Sequence, residues 1–294
     1  MRAGYLGPAG TFTHEALLAS PRGRDAEAIP FATERETILA VQAGAVDAGL
    51  VPIENSLEGG VNATLDTLAL DATGVRIVGE HVLAVSHCLA AREGVALADV
   101  EAVVSHPQAL AQCRRFLRET LPGVRQVAAT STADAMRAVA EGREPWAAIG
   151  TCAAARLYGC AILRAGVEDE PDNETRFVWL AAEGVVAEGA PGPGPPGTGP
   201  GLPAAAGPWK TSLVFHGAGD VAPGWLVRCL SEFAFRGINL TRIESRPRKR
   251  RLGHYLFLAD LEGRESDPHV AEAVAGLRTH CEQVRVLGSY PAAS

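Results

Sequence analysis

The stretch EGAPGPGPPGTGPGLPAAAGP at 188–208 divides the chain into two parts. It consists almost entirely of glycine, proline and alanine, so it has few side chains that could build a hydrophobic core. We predict a linker at 184–208, with one domain at 1–183 before it and a second at 209–294 after it. A chain of 294 residues is long enough for two cores.

The residues after the linker follow one order of strand and helix patterns. Strands are predicted at 211–216, 238–244, 254–261 and 284–288, and helices at 225–235 and 268–281. Gly237 follows the first helix, where a glycine C-cap is expected. The order is the βαββαβ motif of ferredoxin-like domains.

The residues before the linker alternate strands with helices. The helix starts are marked by Thr11 after a Gly/Pro turn, by Pro107, and by Ser131 with Asp134 as a cap. This alternation predicts an α/β domain with its functional residues at strand ends and helix starts.

Composition excludes several classes of function. The net charge of −7 argues against a general nucleic-acid binder. The sequence contains no run of about 18 apolar residues, so no membrane span is predicted. The N-terminal Gly4, Gly7 and Pro8 come too early for a signal peptide, so we predict a cytoplasmic protein. The six cysteines lack CxxC spacing and are predicted to be reduced and structural, and histidine spacing predicts no metal site.

The triplet Thr175, Arg176 and Phe177 opens a predicted strand. Alternate side chains of a strand share a face, so Thr175 and Phe177 point one way and Arg176 the other. The threonine can donate a hydrogen bond and the ring can form an apolar wall. Arg176 can grip a carboxylate with two N–H groups or brace the site from behind.

Other strand-to-helix junctions carry candidate ligand groups. Gly10 and Thr11 form either an anion site or an ordinary tight turn, and Asn55 and Ser56 offer donors after a strand. At 105–108, a cap by Ser105 is favoured over a ligand contact by His106. The basic run at 246–251 is predicted to be a solvated turn rather than a phosphate or nucleic-acid site.

Several segments together resemble the prephenate dehydratase family. GPAGTFTHEA at 7–16, VPIENSLEGGVNATLD at 51–66, SHPQAL at 105–110 and NETRF at 173–177 occur in that family's order and spacing. RGINLTRIESRP at 236–247 and GHYLFLADLEG at 253–263 resemble the ACT regulatory module that is attached to these enzymes.

The resemblance implies the conversion of prephenate to phenylpyruvate, carbon dioxide and water in phenylalanine biosynthesis, without metal or redox cofactor. It implies an α/β catalytic domain with two lobes, similar to periplasmic-type binding proteins, at 1–80 plus 164–183 and at 81–163. Thr175, Arg176 and Phe177 would be catalytic. The substrate-binding residues would be Gly10, Thr11, Asn55, Ser56, His106 and Gln108.

The ACT resemblance implies phenylalanine as effector, bound where two ACT domains pair in a homodimer or homotetramer. The implied effector residues are Gly224, Trp225, Leu226, Asn239, Leu240, Glu244, Ser245, Arg246 and Pro247. Trp225 stands where the family has a small residue. Its ring either points into the dimer contact or fills the effector pocket, so affinity or effector preference is expected to differ.

Three alternatives remain open at this stage. A related enzyme decarboxylates prephenate without making it aromatic, but such relatives depart from the Thr-Arg-Phe pattern. Arogenate is a second possible substrate. The third alternative is a non-enzymatic amino-acid sensor, against which the full motif set and the absence of an export signal argue.

Overall fold

The structure is a computed structural model and describes residues 1–184, 208–217, 222–249 and 252–293. Residues 185–207, nearly all of the predicted linker, lie outside the described residues. No helix in the described part of the chain is long and apolar enough to cross a bilayer.

Strands and helices alternate through most of the chain. The strands are β1 (Arg2–Leu6), β2 (Glu27–Phe31), β3 (Ala48–Asn55), β4 (Gly59–Gly60), β5 (Val75–Ala84), β6 (Cys88–Ala91), β7 (Ala102–Ser105), β8 (Arg125–Ala128), β9 (Trp146–Gly150), β10 (Ala161–Ala165), β11 (Glu174–Ala182), β12 (Trp209–His216), β13 (Leu240–Pro247), β14 (Tyr255–Glu262) and β15 (Gln283–Pro291). The helices are α1 (Phe12–Ala19), α2 (Glu34–Gln42), α3 (Asn62–Asp66), α4 (Pro107–Gln112), α5 (Arg114–Thr120), α6 (Thr132–Glu141), α7 (Cys152–Leu157), α8 (Trp225–Ala234) and α9 (Pro268–His280).

The strands form three sheets. One has the order β2-β1-β3-β11-β5, with β4 paired to β3, the second β10-β6-β9-β7-β8, and the third β13-β14-β12-β15. Parallel pairs such as β1 with β2 and β7 with β9 confirm the α/β class.

The chain divides into two compact units. The first unit is Met1–Thr37, Leu50–Gly59 and Val82–Phe177, and the second is Ile38–Gly49, Gly60–His81 and Val178–Ser294. The units do not follow the predicted division at 184–208, so the domain boundaries stay a prediction.

The second sheet explains why strands and helices alternate in the sequence of the first unit. In β6, Leu89 and Ala91 face a core that includes Leu117, while Cys88 and Ala90 face a different core that includes Met136. Successive side chains of a strand point to opposite faces, so this sheet is covered by helices on both sides.

The C-terminal elements follow the predicted order. The sequence β12, α8, β13, β14, α9, β15 is present, and the sheet they form has β12 between its neighbours β14 and β15, both antiparallel to it. Gly237 after α8 has φ 66°, as predicted for a glycine C-cap. β13 ends at Pro247, three residues later than predicted.

Two local predictions need correction. The pattern after the Gly59-Gly60 break predicts a helix at 61–70, but the structure has α3 followed by a π-helical turn at Thr67–Asp71. The basic run at 246–251 begins inside β13 rather than in a turn, because Arg246 and Pro247 pair with Leu256 and Tyr255 of β14. Residues 250–251 of that run lie outside the described residues.

Candidate functional site

The turn before α1 is fixed by local hydrogen bonds. The Thr11 hydroxyl donates to the Leu6 carbonyl at 2.8 Å and accepts from the His14 N–H as the helix N-cap. The Gly10 N–H donates to Nδ1 of His14 at 3.2 Å, and burial lowers the pKa of His14, which favours the neutral ring that such an acceptor requires. Gly10 has φ 91°, and an added Cβ would lie 2.9 Å from that of Ala154, so only glycine fits here.

The side chains of Asn55 and Thr175 meet where β3 ends and β11 begins. Nδ2 of Asn55 lies 2.9 Å from Oγ1 of Thr175, 2.7 Å from Oδ1 of Asn173 and 3.1 Å from the carbonyl oxygen of Glu174. Ser56 binds the same segment, because its N–H donates to the Glu174 carbonyl at 2.9 Å. Asn55 and Thr175 are each 9% exposed, so their contact is nearly buried.

The direction of the bond to Thr175 follows from the other half of the Asn55 amide. Oδ1 of Asn55 accepts from the backbone N–H groups of Leu57 and Glu58 at 3.0 and 3.1 Å. The amide nitrogen must therefore face Thr175, where it can only donate. The Thr175 oxygen is the acceptor in this bond, which leaves the hydroxyl proton available for another partner.

Arg176 lies on the opposite face of β11 and is paired with Glu54. Nε of Arg176 is 3.3 Å from Oε2 of Glu54, and the two side chains are 10% and 38% exposed. The alternation of Glu54 with Asn55 on β3 matches that of Arg176 with Thr175 on β11. The ion pair therefore supports the bracing role for Arg176. Phe177 is 1% exposed and packs in the interior.

The third predicted junction is capped differently from the prediction. His106, not Ser105, is the N-cap of α4, and its Nδ1 accepts from the Gln108 N–H at 3.3 Å. The Ser105 hydroxyl is buried and donates to the Ile149 carbonyl of the neighbouring strand at 2.7 Å. Ser105 is the last residue of β7 and its side chain points into the sheet, so the cap falls to the next residue.

A cavity lies at the start of α8 in the second unit. Its volume is about 250 Å³, and its lining is Ala222, Gly224, Trp225, Leu226, Val227, Gly253, Tyr255 and Phe257. Trp225 is 5% exposed, its Nε1–H donates to the His280 carbonyl at 2.7 Å, and its ring centroid is 5.8 Å from that of Phe257. The indole thus forms one wall of the cavity and is anchored in the core of this domain.

β13 is tied to α3 by charge. Nε and Nη2 of Arg246 bind Oδ1 and Oδ2 of Asp66 at 2.9 and 3.1 Å, and Nζ of Lys249 is 2.7 Å from Oδ2. Burial opposes ionisation of Asp66, but the hydrogen bonds from Arg246 and Lys249 outweigh it and hold the pKa of this carboxyl below its usual value. The hydrogen bond to Asp66 also raises the pKa of Arg246. Both groups are therefore charged at neutral pH.

Two further contacts join the same elements. An added Cβ at Gly60 would lie 3.1 Å from Nη2 of Arg242 and 3.2 Å from Oε2 of Glu244, so a glycine there lets β13 approach closely. Arg285 of β15 donates to the carbonyl groups of Leu68 and Ala69 in the π-helical turn and of Ala72 just after it.

Comparison with known proteins settles the family. Residues 3–185 match the family model for prephenate dehydratase. The chain belongs to the prephenate dehydratase family. A prephenate dehydratase of Mycolicibacterium gilvum is 42% identical over 301 residues, which cover 98% of this chain and 90% of that protein.

Two solved structures resemble the chain over nearly its whole length. A prephenate dehydratase from Arthrobacter aurescens in complex with L-Phe has a TM-score of 0.85 and 39% identity, covering 99% of this chain and 90% of that one. GqqA, described as a novel type of quorum quenching acylase, has a TM-score of 0.83 and 34% identity, covering 100% of this chain and 98% of that one.

The predicted site residues of this prephenate dehydratase family member form three separate hydrogen-bonded groups. Asn55, Ser56 and Thr175 are joined by the network around Asn173. Gly10 with Thr11, and His106 with Gln108, each form a local cluster at a helix start. Their roles in substrate binding stay predictions.

The predicted effector residues divide into two groups. Gly224, Trp225 and Leu226 line the cavity. The remaining six lie on β13 or just before it, and they are Asn239, Leu240, Glu244, Ser245, Arg246 and Pro247. The ring of Trp225 packs into the domain core and lines the cavity, and the two orientations considered for it stay predictions.

Two features of the site have no signal in the sequence. The first is the burial of Asn173, which lies in the NETRF motif and is 1% exposed. The pairing of Glu54 with Arg176 is the second, because the sequence predicts Glu54 only as a candidate for solvent exposure. Within the described ranges, no group of three or more His, Cys, Asp or Glu side chains could hold a metal ion. The expectation of no metal or cofactor stays a prediction.

Proposed function

We propose that this protein is a prephenate dehydratase in which Thr175 assists the departure of the ring hydroxyl. The observation that carries the proposal is the orientation of the Asn55 amide, which leaves the Thr175 proton available. This arrangement lies within the segment that matches the family model.

The reaction removes the ring carboxylate as carbon dioxide and the ring hydroxyl as water. The electron pair of the breaking carbon–carbon bond moves into the ring and displaces the hydroxyl, which takes up one proton to leave as water. The product ring is aromatic, so the substrate supplies the driving force and no electron sink is required. The protein has to orient a dianion and help the hydroxyl to leave.

Thr175 is suited to a hydrogen-bond donor rather than to a strong acid. Its oxygen accepts from Nδ2 of Asn55, which withdraws electron density and strengthens the O–H as a donor. If Thr175 passes its proton to the leaving hydroxyl, the Thr175 oxygen takes up a new proton from water. General acid assistance of this kind is worth about 10²–10⁴-fold in rate.

The remaining catalytic residues have supporting roles in this proposal. Arg176, paired with Glu54, holds β11 against β3 so that Thr175 keeps its position. Phe177 packs beneath the site as part of its apolar support. Gly10, Thr11, Ser56, His106 and Gln108 stay as candidates for binding the substrate carboxylates and the ring.

The proposal extends to domain organisation. It assigns 1–183 to a two-lobed catalytic domain of periplasmic-binding-protein type, 184–208 to a linker and 209–294 to a ferredoxin-like ACT domain. The βαββαβ order and the sheet order β13-β14-β12-β15 support the last assignment. We keep the cytoplasmic location as a prediction.

The proposed regulation is inhibition by phenylalanine at paired ACT domains. The cavity beside Trp225 has a volume suited to an aromatic side chain, and the relative from Arthrobacter aurescens binds L-Phe. Val227 and Tyr255 border the cavity and are 67% and 44% exposed, which supports a homodimer or homotetramer that covers them.

The proposal is tested by incubating the purified protein with each candidate substrate and identifying the products. Phenylpyruvate from prephenate is followed by ultraviolet absorbance, and phenylalanine from arogenate or a cleaved acyl group is identified by mass spectrometry. Prephenate, arogenate and an N-acylated quorum-sensing signal are supplied in parallel, with and without L-phenylalanine. Turnover of prephenate that phenylalanine reduces supports the proposal. Turnover of arogenate alone, or cleavage of the N-acyl signal alone, would replace it, and binding of prephenate without turnover would indicate a sensor.

A further inference from the structure

Asn173 stands at the centre of the polar network beneath Thr175. It is 1% exposed, and its Oδ1 lies 2.7 Å from Nδ2 of Asn55 and 3.2 Å from Oγ of Ser56. Its backbone carbonyl also accepts from the Val85 N–H at 2.7 Å, which fixes the peptide that carries the side chain. A buried amide with this many partners is a rigid anchor.

The hydrogen atoms of this network can be placed by elimination. The Glu174 N–H donates to Oγ of Ser56 at 3.0 Å, so the Ser56 proton is free to point at Oδ1 of Asn173. Asn55 has two protons on Nδ2, and Asn173 and Thr175 are its nearest acceptors. Oδ1 of Asn173 therefore accepts twice, and one of those bonds sets the rotation of Asn55.

We infer that Asn173 is a positioning residue: its carboxamide oxygen holds Asn55 so that the second Nδ2 proton is aimed at Thr175. This inference rests on the proposed function, because Thr175 is the group that would act on the substrate. Asn173 acts through Asn55 and needs no contact with the reacting atoms. Its oxygen is the part that matters, so an aspartate can replace it and an apolar side chain cannot.

Two variants of similar shape show whether the carboxamide oxygen of Asn173, rather than its volume, is what matters. Asn173→Leu removes the acceptor that holds Asn55, so Thr175 loses its fixed position. A catalytic group displaced by about 1 Å loses roughly 100-fold in rate, so kcat is expected to fall by about that factor with little change in KM. Asn173→Asp keeps the acceptor, so kcat stays within about tenfold, while its negative charge raises KM for the prephenate dianion. Equal losses of kcat in the two variants overturn the inference.

A double-mutant cycle with Asn55 tests whether Asn173 acts through it. In an Asn55→Ala background, Asn173→Leu is expected to lower kcat by less than about threefold, because there is no amide left to position. A purely structural role would cost the same factor in both backgrounds and would overturn the inference. Thermal unfolding of all four proteins shows whether the comparison is between folded enzymes; if Asn173→Leu does not fold, the cycle is run with Asn173→Ser, whose shorter side chain cannot reach Asn55.

The position of Asn55 can also be read without any substrate. Its side-chain amide signals, assigned by their loss in Asn55→Ala, are expected to shift and to exchange faster with water in Asn173→Leu but not in Asn173→Asp. Unchanged signals in Asn173→Leu overturn the inference. If the wild type does not turn over prephenate, the proposed function fails, and these amide signals decide the positioning role on their own.

Discussion

Replacement of Asn55 by aspartate reverses the hydrogen bond that defines the proposed mechanism. The change is isosteric and keeps the oxygen that accepts from Leu57 and Glu58. It exchanges the donor facing Thr175 for an acceptor, so the Thr175 proton turns toward the new carboxylate and away from the substrate. Loss of this assistance is expected to lower kcat about 10²–10⁴-fold, or ~2.7–5.4 kcal/mol of barrier.

The same substitution has a calculable effect on folding. Nδ2 has two protons to donate to the acceptors that lie 2.7 to 3.1 Å away. Each lost hydrogen bond costs about 1 kcal/mol, so Asn55→Asp should destabilise the protein by roughly 2 kcal/mol at neutral pH. Burial and the facing oxygen atoms raise the pKa of the introduced carboxyl above its unfolded value of about 3.9. The folded state therefore binds the proton more tightly, and stability is kept below about pH 4 and lost as pH rises through the folded pKa.

The assay combines kcat for prephenate with urea unfolding of both proteins at pH 4 and pH 8. Asn62→Asp is the matched control, because it makes the same chemical change at an exposed position. We expect the variant to be near the wild type in stability at pH 4 and well below it at pH 8. A kcat within threefold of the wild type, or a stability loss that is equal at both pH values, would refute the reasoning.

Three further substitutions test separate contacts. Thr175→Val should lower kcat about 10²–10⁴-fold while Thr175→Ser keeps it within tenfold, and steady-state kinetics that do not separate the two would exclude the hydroxyl. Asp66→Asn should cost about 1.5–3 kcal/mol at pH 7 by urea unfolding, since it breaks a charged pair. Because the pKa of Asp66 is lowered in the folded protein, the difference from the wild type should shrink as pH falls below about 4 and vanish once pH is below the folded pKa; a difference that does not shrink would contradict the pair. Trp225→Leu should cost about 2–4 kcal/mol and widen the effector cavity, so calorimetry should find tryptophan binding improved relative to phenylalanine; an unchanged ratio would mean that the indole does not shape the cavity.

Much of the fold could be predicted because its signals are local. Thr11, Pro107 and Ser131 each mark a helix start through chemistry that involves only the next few residues, and each helix is where it was expected. The βαββαβ order followed from hydrophobic patterns of the right length. Strand ends were less accurate: β13 continues through Arg246 because its pairing with β14 outweighs the turn-like composition of the basic run.

The candidate site was predictable in its residue types and less so in its contacts. Asn55 and Thr175 lie far apart in sequence, and only the pairing of β3 with β11 brings them together. The same long-range pairing joins Arg176 to Glu54, which no sequence spacing announces. Likewise, Cys229 and Cys281 have no paired spacing, yet their sulfur atoms are 3.7 Å apart. Contacts of this kind depend on tertiary structure and have no local signal.

Proton NMR of prephenate mixed with the purified protein tests the central claim most directly. The account predicts that aromatic phenylpyruvate signals grow at the rate at which the ring-alkene signals of prephenate disappear, and that Thr175→Val slows both together. A decarboxylated product that is not aromatic, prephenate that stays unchanged, or a normal rate in Thr175→Val would contradict it.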